Sequence, residues 1–424
     1  MVQYDFVWVI KKANFVAMNN SREIFELALG LTTPWFVENV EFKTEKDERE
    51  LHIHINFQKG YKFQQPDGSC VGAHDTMSRT WQHLNFFQHK CYVHARVPRV
   101  KNEEGKIVLQ SVPWARKNSG FTLLFEAYAM LLIENEMPVS KASKIVKVYP
   151  QRLWNIFDYW ISIAHSEDEI GEIKNVGFDE TSTKKGHNYV TTLVDMHARR
   201  VLYATEGKGS ETIKQSVEYL KSKEVDIESI RNVCIDMSPA FISGCEKYMP
   251  NSAITFDKFH VIKEVNKAMD EVRKMERRAN FELKGHKYTF LKNSLSVEKQ
   301  IERNILLDKY KNLADGYTLM QMFKDFWAIN DPEDAMGYLA FWCDLADNSN
   351  LAPFVNVSKT IKNHWQGIVN FTKSKINNGI LEGINSKIQL AKKRARGYRN
   401  IKNFINMIYF VAGKLKFNYP QYSI

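Results

Sequence analysis

Acidic residues at the ends of apolar stretches are the part of this sequence best suited to chemistry. Apolar residues typical of buried β-strands lead up to Asp179, Asp236 and Asp257 in turn. A fourth acid, Glu382, lies in a later segment that is otherwise rich in Lys and Arg. Strand ends that meet at one edge of a sheet bring carboxylates together around divalent cations. Acids gathered in this way inside a basic protein predict metal-assisted phosphoryl transfer on nucleic acid.

Two-metal phosphoryl transfer needs carboxylates that hold two divalent ions about 4 Å apart, and Mg²⁺ prefers such hard oxygen ligands. We expect Asp179, at the end of the first strand, to bridge two Mg²⁺ ions, with Mn²⁺ as a substitute. Asp236 would bind one ion and Glu382 the other. Asp257 is the reserve candidate for the second acid; otherwise Asp257 and His260 would position a substrate strand or a metal-bound water. The common alternative for any one of these aspartates is a structural cap of a turn or helix.

Two neighbouring acids are expected to be structural. Glu180 follows Asp179 directly, so strand alternation sends its side chain to the opposite face of the sheet. Asp195 lies in a predicted hairpin. Neither acid is therefore expected to bind metal.

The segment around Glu382 is expected to contact DNA. Glu382 shares one helix face with Asn385 and Gln389, at i+3 and i+7. Basic residues follow at once, and they would draw phosphates toward the acid. The predicted DNA-contacting residues of this segment are Asn385, Gln389, Lys392, Lys393, Arg394, Arg396 and Arg399.

The composition is that of an ordinary folded protein with a basic tail. The 424 residues are 44% hydrophobic and 25% charged, and the formal net charge is +10. This length predicts two to four domains. From Glu382 to Ile424 there are nine Lys or Arg and one acid, Glu382 itself. A local basic surface favours contact with phosphates, although solvated Lys-rich helices are also common.

Cysteine usage and hydropathy exclude several classes of protein. Five cysteines are present, and no two have the Cys-x-x-Cys spacing of a zinc finger. There is no apolar run long enough to span a membrane and no signal-peptide pattern. We expect a cytoplasmic protein without zinc and without a membrane partner.

The N-terminal third is predicted to hold a small β-rich module and then three helices. Alternating residues 51–57 and 91–97 predict strands. A helical pattern begins at Phe121, Ser140 is the predicted N-cap of a short second helix, and Pro150 opens a third. This layout is typical of a helix-turn-helix, although three-helix packing units without DNA contact are also common. The exposed residues expected to contact DNA on the third helix are Gln151, Arg152 and Asn155.

The remainder of the chain predicts a mixed sheet with a helical insertion. Three strands in meander end near Asp179, Met196 and Thr205, and then helix, strand, helix and strand follow. This order is expected of a ribonuclease-H-like sheet. Residues 260–375 are helical in pattern and lack strand signals, and a final helix begins near Gly379.

Several motifs in this order resemble DDE insertion-sequence transposases of the ISL-three group. The resemblance covers nearly the whole chain from about Leu31. It is based on residues 79–84, 95–99, 112–116, 177–182 with 185–189, 257–261 with 266–268, and 381–389 with 396–399.

The resemblance implies an α/β ribonuclease-H-like core with an all-helical insertion, after a helix-turn-helix and a β-rich zinc-ribbon-like module. Asp179, Asp236 and Glu382 take the catalytic positions. The family's metal ligands near residues 65–68 and 102–105 are missing here, apart from Cys70. The expected boundaries are 1–110 for the N-terminal module, 111–168 for the helix-turn-helix, 169–262 and 376–424 for the two parts of the core, and 263–375 for the insertion.

The resulting functional hypothesis is a DDE polynucleotidyl transferase. It would bind the terminal inverted repeats of its own element, cleave the ends and join the 3′-hydroxyl to target DNA. Synapsis of two DNA ends implies a homodimer or larger assembly. The alternatives are a non-catalytic, domesticated DNA-binding protein and a structure-specific nuclease with the same core.

Overall fold

The computed structural model describes residues 22–45, 47–65, 68–183, 188–374, 376 and 379–420. Contacts divide the chain into two compact units, Met1–Trp160 with Phe417–Ile424, and Ile161–Lys416. None of the helices in the described ranges combines the length and apolar character needed to span a bilayer. The predicted turn at Pro66-Asp67 and the motif residues Lys185-Gly186-His187 lie outside the described residues.

The first unit contains a five-stranded sheet with one apolar face. Its strands are β1 (Trp35–Glu45), β2 (Glu48–Phe57), β5 (Asp75–Phe86), β6 (His89–Lys101) and β7 (Ile107–Leu109), and a separate hairpin is formed by β3 (Lys62–Gln64) and β4 (Cys70–Gly72). The order is β1-β2-β6-β5, with β7 paired to β6. Leu51, Ile53 and Ile55 alternate along β2 and are buried. The strands predicted at 51–57 and 91–97 are confirmed as parts of β2 and β6.

Helix α1, at residues 22–28, precedes the sheet, and three helices follow it. They are α2 (Leu123–Glu134), α3 (Val139–Ile145) and α4 (Pro150–Ser166). Pro150 opens α4 as predicted. The prediction that Ser140 is the N-cap of α3 is wrong, since the helix begins at Val139. Pro138, whose ring fixes its φ, already turns the chain into the helix before Ser140.

A fully buried acid joins the parts of the helical segment. Glu126 on α2 is 0% exposed. Its carboxylate accepts hydrogen bonds from Arg116 Nε at 2.8 Å, Ser119 Oγ at 2.5 Å and Trp160 Nε1 at 2.8 Å. Buried charges are stable only when they are paired and hydrogen-bonded, and this carboxylate has both kinds of partner. The contacts fix the loop at 116–119 and helix α4 against α2.

The second unit is built on a mixed sheet. Its strands are β8 (Asn175–Ser182), β9 (Tyr189–Asp195), β10 (Arg200–Glu206), β11 (Asn232–Ile235) and β12 (Ala253–Phe256). They lie in the order β10-β9-β8-β11-β12. β8, β9 and β10 are antiparallel neighbours, whereas β11 is parallel to both β8 and β12. The predicted sequence of strands and helices is thereby confirmed.

Helices surround this sheet and extend its core. They are α5 (Ser210–Ser222), α6 (Pro239–Tyr248), α7 (Lys258–Arg277), α8 (Lys287–Leu291), α9 (Val297–Lys309), α10 (Lys311–Asp325), α11 (Pro332–Asp347), α12 (Ala352–Asn363), α13 (Trp365–Ser374), α14 (Gly379–Arg394) and α15 (Ile401–Ala412). The described residues from 258 to 374 contain no strand, as predicted. A single apolar core includes both Val176 of β8 and Trp342 of α11. Helix α13 covers the edge strand β12, where Asn370 Nδ2 donates to the Ile254 carbonyl at 2.7 Å.

Candidate active site

The open edge of the mixed sheet brings three of the predicted acids together. β8 pairs with β11 only as far as Gly177, opposite Cys234, whereas its pairing with β9 continues to Ser182. The prediction that Asp179 ends its strand is therefore wrong, because the hairpin partner β9 extends β8 by three residues beyond it. Asp179 nevertheless lies past the end of the β11 pairing, where the sheet opens. Asp236 and Asp257 directly follow β11 and β12 at the same edge.

Asp236 and Asp257 are both fixed by the helices that follow them. Asp236 Oδ1 accepts a hydrogen bond from the backbone N–H of Ser238 at 2.9 Å, just before α6. Asp257 is buried and is the N-cap of α7, where its side chain accepts from the Phe259 N–H at 2.7 Å. Its other oxygen lies 3.2 Å from His260 Nδ1. Asp257 therefore caps a helix, which is the structural role predicted as the alternative to metal binding, and it also orients His260.

The acids at this edge carry negative charge that the protein does not fully compensate. Burial raises the pKa of Asp179 to about 6, and the charges of Asp257 and Asp236 add to the effect. Burial and the charge of Asp236 raise the pKa of Glu180 to about 7. The contact with Asp257 raises the pKa of His260, against the opposing effect of burial. Raised carboxyl pKa values beside further acids are typical of a site that attracts a cation.

Glu180 interacts electrostatically with this cluster of acids, which the sequence did not indicate. Phe178 packs its ring against Phe241 of α6, at 6.3 Å between centroids, so alternation places Glu180 on that face and Asp179 on the other. The predicted opposite orientation agrees with these contacts. The electrostatic coupling of Glu180 to Asp236 was missed, since it depends on where β11 ends beside β8. The only sequence signal was the adjacency of two acids.

Helix α14 lies along β8 on the face that carries Asp179. A Cβ on Gly177 would be 2.9 Å from Leu381 Cδ2. Asn385 donates its side-chain amide to Asp179 Oδ2, and Gln389 Nε2 donates to Thr181 Oγ1 at 2.6 Å. These contacts repeat every four residues along the helix and every two residues along the strand. Four helical residues advance about 6 Å and two strand residues about 6.8 Å, so the helix and the strand stay aligned.

The end of α14 is anchored in the same way. Lys392 Nζ donates to the Ser182 carbonyl at the end of β8. Ile384 and Ile388 are buried beneath the helix. Leu390 is 44% exposed, because the helix turns that position away from the sheet. Three residues predicted to contact DNA, Asn385, Gln389 and Lys392, are thus hydrogen-bonded to β8.

Glu382 lies one helical turn before Asn385 and is exposed. Within the described ranges no three His, Cys, Asp or Glu side chains are grouped closely enough to hold a metal ion. The strand topology puts Asp179, Asp236 and Asp257 at one edge of the sheet, but neither these three acids nor Glu382 form a closed ligand group among the described residues. Carboxylate oxygens suit a hard divalent cation, and Asp179 and Asp236 each lie just past the end of the pairing between β8 and β11.

A basic groove lies next to β8 and the second half of α14. Its volume is about 1320 Å³. Its lining contains no acidic residue among those that the structure describes. The polar and basic lining residues are Ser182, Thr183, Ser386, Gln389, Lys392, Lys393, Arg396, Tyr398 and Arg399. Arg394, also predicted to contact DNA, ends α14.

The predicted DNA-contacting residues of the first unit lie at the start of α4. Gln151, Arg152 and Asn155 are all exposed. Gln151 Nε2 donates to Asn155 Oδ1 at 3.1 Å. The Arg152 guanidinium lies over the Phe121 ring, 4.2 Å from its centroid. A cation held in this way remains available to an anion while its side chain is already ordered.

Comparison with known families identifies the class of this protein. A family model described as "Transposase", of the ISL3 DDE type, matches residues 176–408. A second model, "Helix-turn-helix domain of transposase family ISL3", matches residues 110–161. The chain therefore belongs to the ISL3 transposase family, and its helix-turn-helix and transposase domains imply DNA binding.

Full-length relatives agree with this assignment. The chain is 26% identical over 396 residues to "Transposase for insertion sequence element IS1001" of Bordetella parapertussis, an alignment covering 90% of this chain and 96% of that protein. It is 22% identical over 452 residues to the transposase for insertion sequence element IS1557 of Mycobacterium tuberculosis, with 96% and 100% coverage.

Proposed function

We propose that this chain is an active DDE transposase that cleaves the ends of its own insertion sequence and joins them to target DNA. The observation that carries the proposal is the gathering of Asp179, Asp236 and Asp257 at the open edge of one sheet. A basic groove, with no acid among its described lining residues, adjoins the end of β8. Such a surface binds a DNA backbone and presents a phosphodiester to the acids.

The core of the second unit is proposed to be ribonuclease-H-like. Support comes from the sheet, in which three antiparallel strands are followed by two parallel ones in the order β10-β9-β8-β11-β12. This arrangement leaves the central strand β8 free on one side beyond Gly177. A carboxylate at position 179 can then be reached from the open edge.

Asp179, Asp236 and Glu382 are the residues proposed to hold Mg²⁺. When bound, Mg²⁺ would activate the attacking oxygen and stabilise the leaving oxygen of the phosphodiester. Asn385 fixes the Asp179 carboxylate through its amide, as partners of metal ligands commonly do. Glu382 is on the same helix as Asn385, one turn earlier, and it would have to move toward Asp179 to complete the group.

DNA recognition is proposed to be divided between the two units. Gln151, Arg152 and Asn155 at the start of α4 would read the terminal inverted repeats, as the second helix of a helix-turn-helix does. Lys393, Arg396 and Arg399 would hold backbone phosphates in the groove. Two ends must be held together for strand transfer, so the active form is proposed to be at least a homodimer acting on the bacterial chromosome.

A cleavage assay tests this proposal. Purified chain is incubated with Mg²⁺ and duplex DNA that carries the inverted repeats flanking its gene, and product ends are sequenced. The proposal predicts nicks at the element ends and joined products with target DNA, both lost in Asp179→Ala while DNA binding is retained. Cutting without joining would identify a nuclease instead. Tight binding with no cutting under Mg²⁺ or Mn²⁺ would identify a non-catalytic DNA-binding protein.

A further inference from the structure

A further polar cavity lies in the first unit. Its volume is about 360 Å³, and it is lined by residues 78–81 of β5 and by the turn at residues 118–120. All of these residues are polar or glycine except Trp81, which belongs to the apolar core of the sheet. The lining contains one charged side chain, Arg79, and no acid among the residues described. A cavity of this kind fits a small anion.

Arg79 lacks a partner of its own. Among the residues described it makes no ion pair and no side-chain hydrogen bond, although it is only half exposed. Other arginines of this unit are already paired, as Arg99 is with Asp75 and Arg116 with Glu126. A partly buried guanidinium without an acceptor loses solvation and gains nothing in return, so a bound anion would compensate it.

Glu126, an acid bonded to the cavity residue Ser119, is already paired with an arginine. Ser119 lines the cavity and donates its hydroxyl to Glu126. Glu126 also pairs with Arg116 and is completely buried, so its charge is compensated inside the protein. It does not oppose an anion at the cavity.

The turn at residues 118–120 also contacts helix α4. A Cβ on Gly120 would be 3.2 Å from Arg152 Nη2. Arg152 is one of the residues expected to contact DNA, so Arg79 and Arg152 border the same turn from two elements. The Gly120 carbonyl accepts from the Gln82 N–H at 2.9 Å, and this bond ties the turn to β5. The Gly120 N–H donates to no acceptor among the described residues.

We infer that this cavity binds a phosphate of the DNA backbone, with Arg79 as its cation and the 118–120 turn as its wall. The inference builds on the proposed DNA-binding function. A guanidinium offers two parallel N–H donors to phosphate oxygens, and the described lining of the cavity is otherwise uncharged. Because the cavity borders the 118–120 turn, and this turn contacts Arg152 of α4, a phosphate bound there sets the position of α4 on the duplex. The β-rich module is then part of the DNA-binding surface of the first unit.

The test is the salt dependence of duplex binding by the full chain. Wild type, Arg79→Ala and Arg79→Lys are titrated against a duplex with the element's inverted repeat and against an unrelated duplex of equal length, between 50 and 200 mM salt. Arg49→Ala is the matched control, because Arg49 is an exposed arginine elsewhere on the same sheet. Circular dichroism and the unfolding temperature show that each variant is folded.

The inference predicts that Arg79→Ala weakens binding to both duplexes by the same factor, about 10-fold. The slope of log K against log salt concentration falls in magnitude by about 0.9, the value for one phosphate contact. Arg79→Lys keeps the slope and loses only part of the affinity, and Arg49→Ala changes the affinity less than Arg79→Ala does.

Four results would overturn the inference. If Arg79→Ala binds and cleaves like the wild type, the phosphate site is wrong while the proposed function stands. A loss confined to the inverted-repeat duplex would make Arg79 a base-reading residue. Inorganic phosphate that stabilises the wild type but not Arg79→Ala, with DNA binding unchanged, would identify a site for free phosphate. A chain that binds no duplex at all contradicts both the site and the proposed function.

Discussion

Two carboxylates, one in each unit, have opposite surroundings. Glu126 in the first unit receives hydrogen bonds from a guanidinium, a hydroxyl and an indole. Asp179 in the second unit receives a side-chain amide from Asn385 and the N–H of the next residue, and it faces the charges of Asp236 and Asp257. No Lys or Arg is paired with Asp179 among the described residues.

Glu126 is thus an acid whose contacts stabilise the fold, whereas Asp179 is an acid that the fold only positions. Removing an acid of the first kind leaves a buried cation without a partner, and this destabilises the protein. An acid of the second kind is kept charged beside like charges, which opposes folding and leaves it ready to bind a cation. The following predictions test this contrast from the largest expected effect to the smallest.

Loss of Asp236 should abolish cleavage. We expect Asp236→Asn to lower the rate by about 10³-fold or more, because a metal ligand contributes several kcal/mol to the transition state. The rate of nicking of end-bearing DNA measures this. Asp195→Asn is the matched control, since Asp195 ends β9 and accepts only from the N–H groups of His197 and Ala198 among the described residues. A rate for Asp236→Asn within 10-fold of the control would contradict the assignment.

Loss of Glu126 should destabilise the first unit by about 3–5 kcal/mol, because Arg116 would then be left without its anion. Urea unfolding followed by Trp fluorescence measures the change. Glu134→Ala, which removes an exposed acid from the same helix, is the control and should leave the midpoint nearly unchanged. Equal midpoints for the two variants would show that the buried contacts of Glu126 contribute little.

Asn385→Ala should weaken catalysis without removing it. Partners of metal ligands typically contribute 10- to 100-fold in metal affinity or activity, and Asn385 is bonded to Asp179. We expect a higher Mg²⁺ concentration for half-maximal cleavage. Gln389→Ala removes a similar amide one turn later, which is bonded to a hydroxyl instead, and should not change the Mg²⁺ dependence. The same shift in both variants would argue against a specific role for Asn385.

Asp179→Asn should stabilise the metal-free protein at neutral pH. The folded-state pKa of about 6 exceeds the ordinary value of 3.8, so the folded protein binds more protons between these values and loses stability as the pH rises through them. Removing the charge should increase stability by about 1–2 kcal/mol at pH 7.5. The measurement is thermal unfolding in EDTA, and the difference should vanish near pH 4, where the wild-type carboxyl is protonated. Destabilisation at pH 7.5 would show that the charge of Asp179 is compensated.

Much of the fold was predictable because its elements have strong local signals. Alternation along β2, Pro150 at the start of α4 and the strand order of the second unit were all confirmed. Predictions failed where long-range pairing or a neighbouring residue decided the outcome. Pairing with β9 extended β8 past Asp179, and Pro138 began α3 before Ser140.

The site was less predictable than the fold. Sequence spacing placed Asp179, Asp236 and Asp257 at one sheet edge, since parallel strands share that edge. The matching of α14 to β8 was not predictable, because the contacts of Asn385 and Gln389 depend on how a helix lies along a strand. The electrostatic interaction between Glu180 and Asp236 arises because β11 ends beside the longer strand β8, and no local sequence pattern predicts it.

The most direct measurement of the central claim is Mg²⁺-dependent strand transfer by wild type and Asp179→Asn on DNA bearing the element's ends. The account predicts joined products for the wild type and none for Asp179→Asn, although the variant binds the same DNA with unchanged affinity and unfolds at a higher temperature in EDTA. Strand transfer by Asp179→Asn at a rate near that of the wild type would contradict the claim that this acid is held for catalysis.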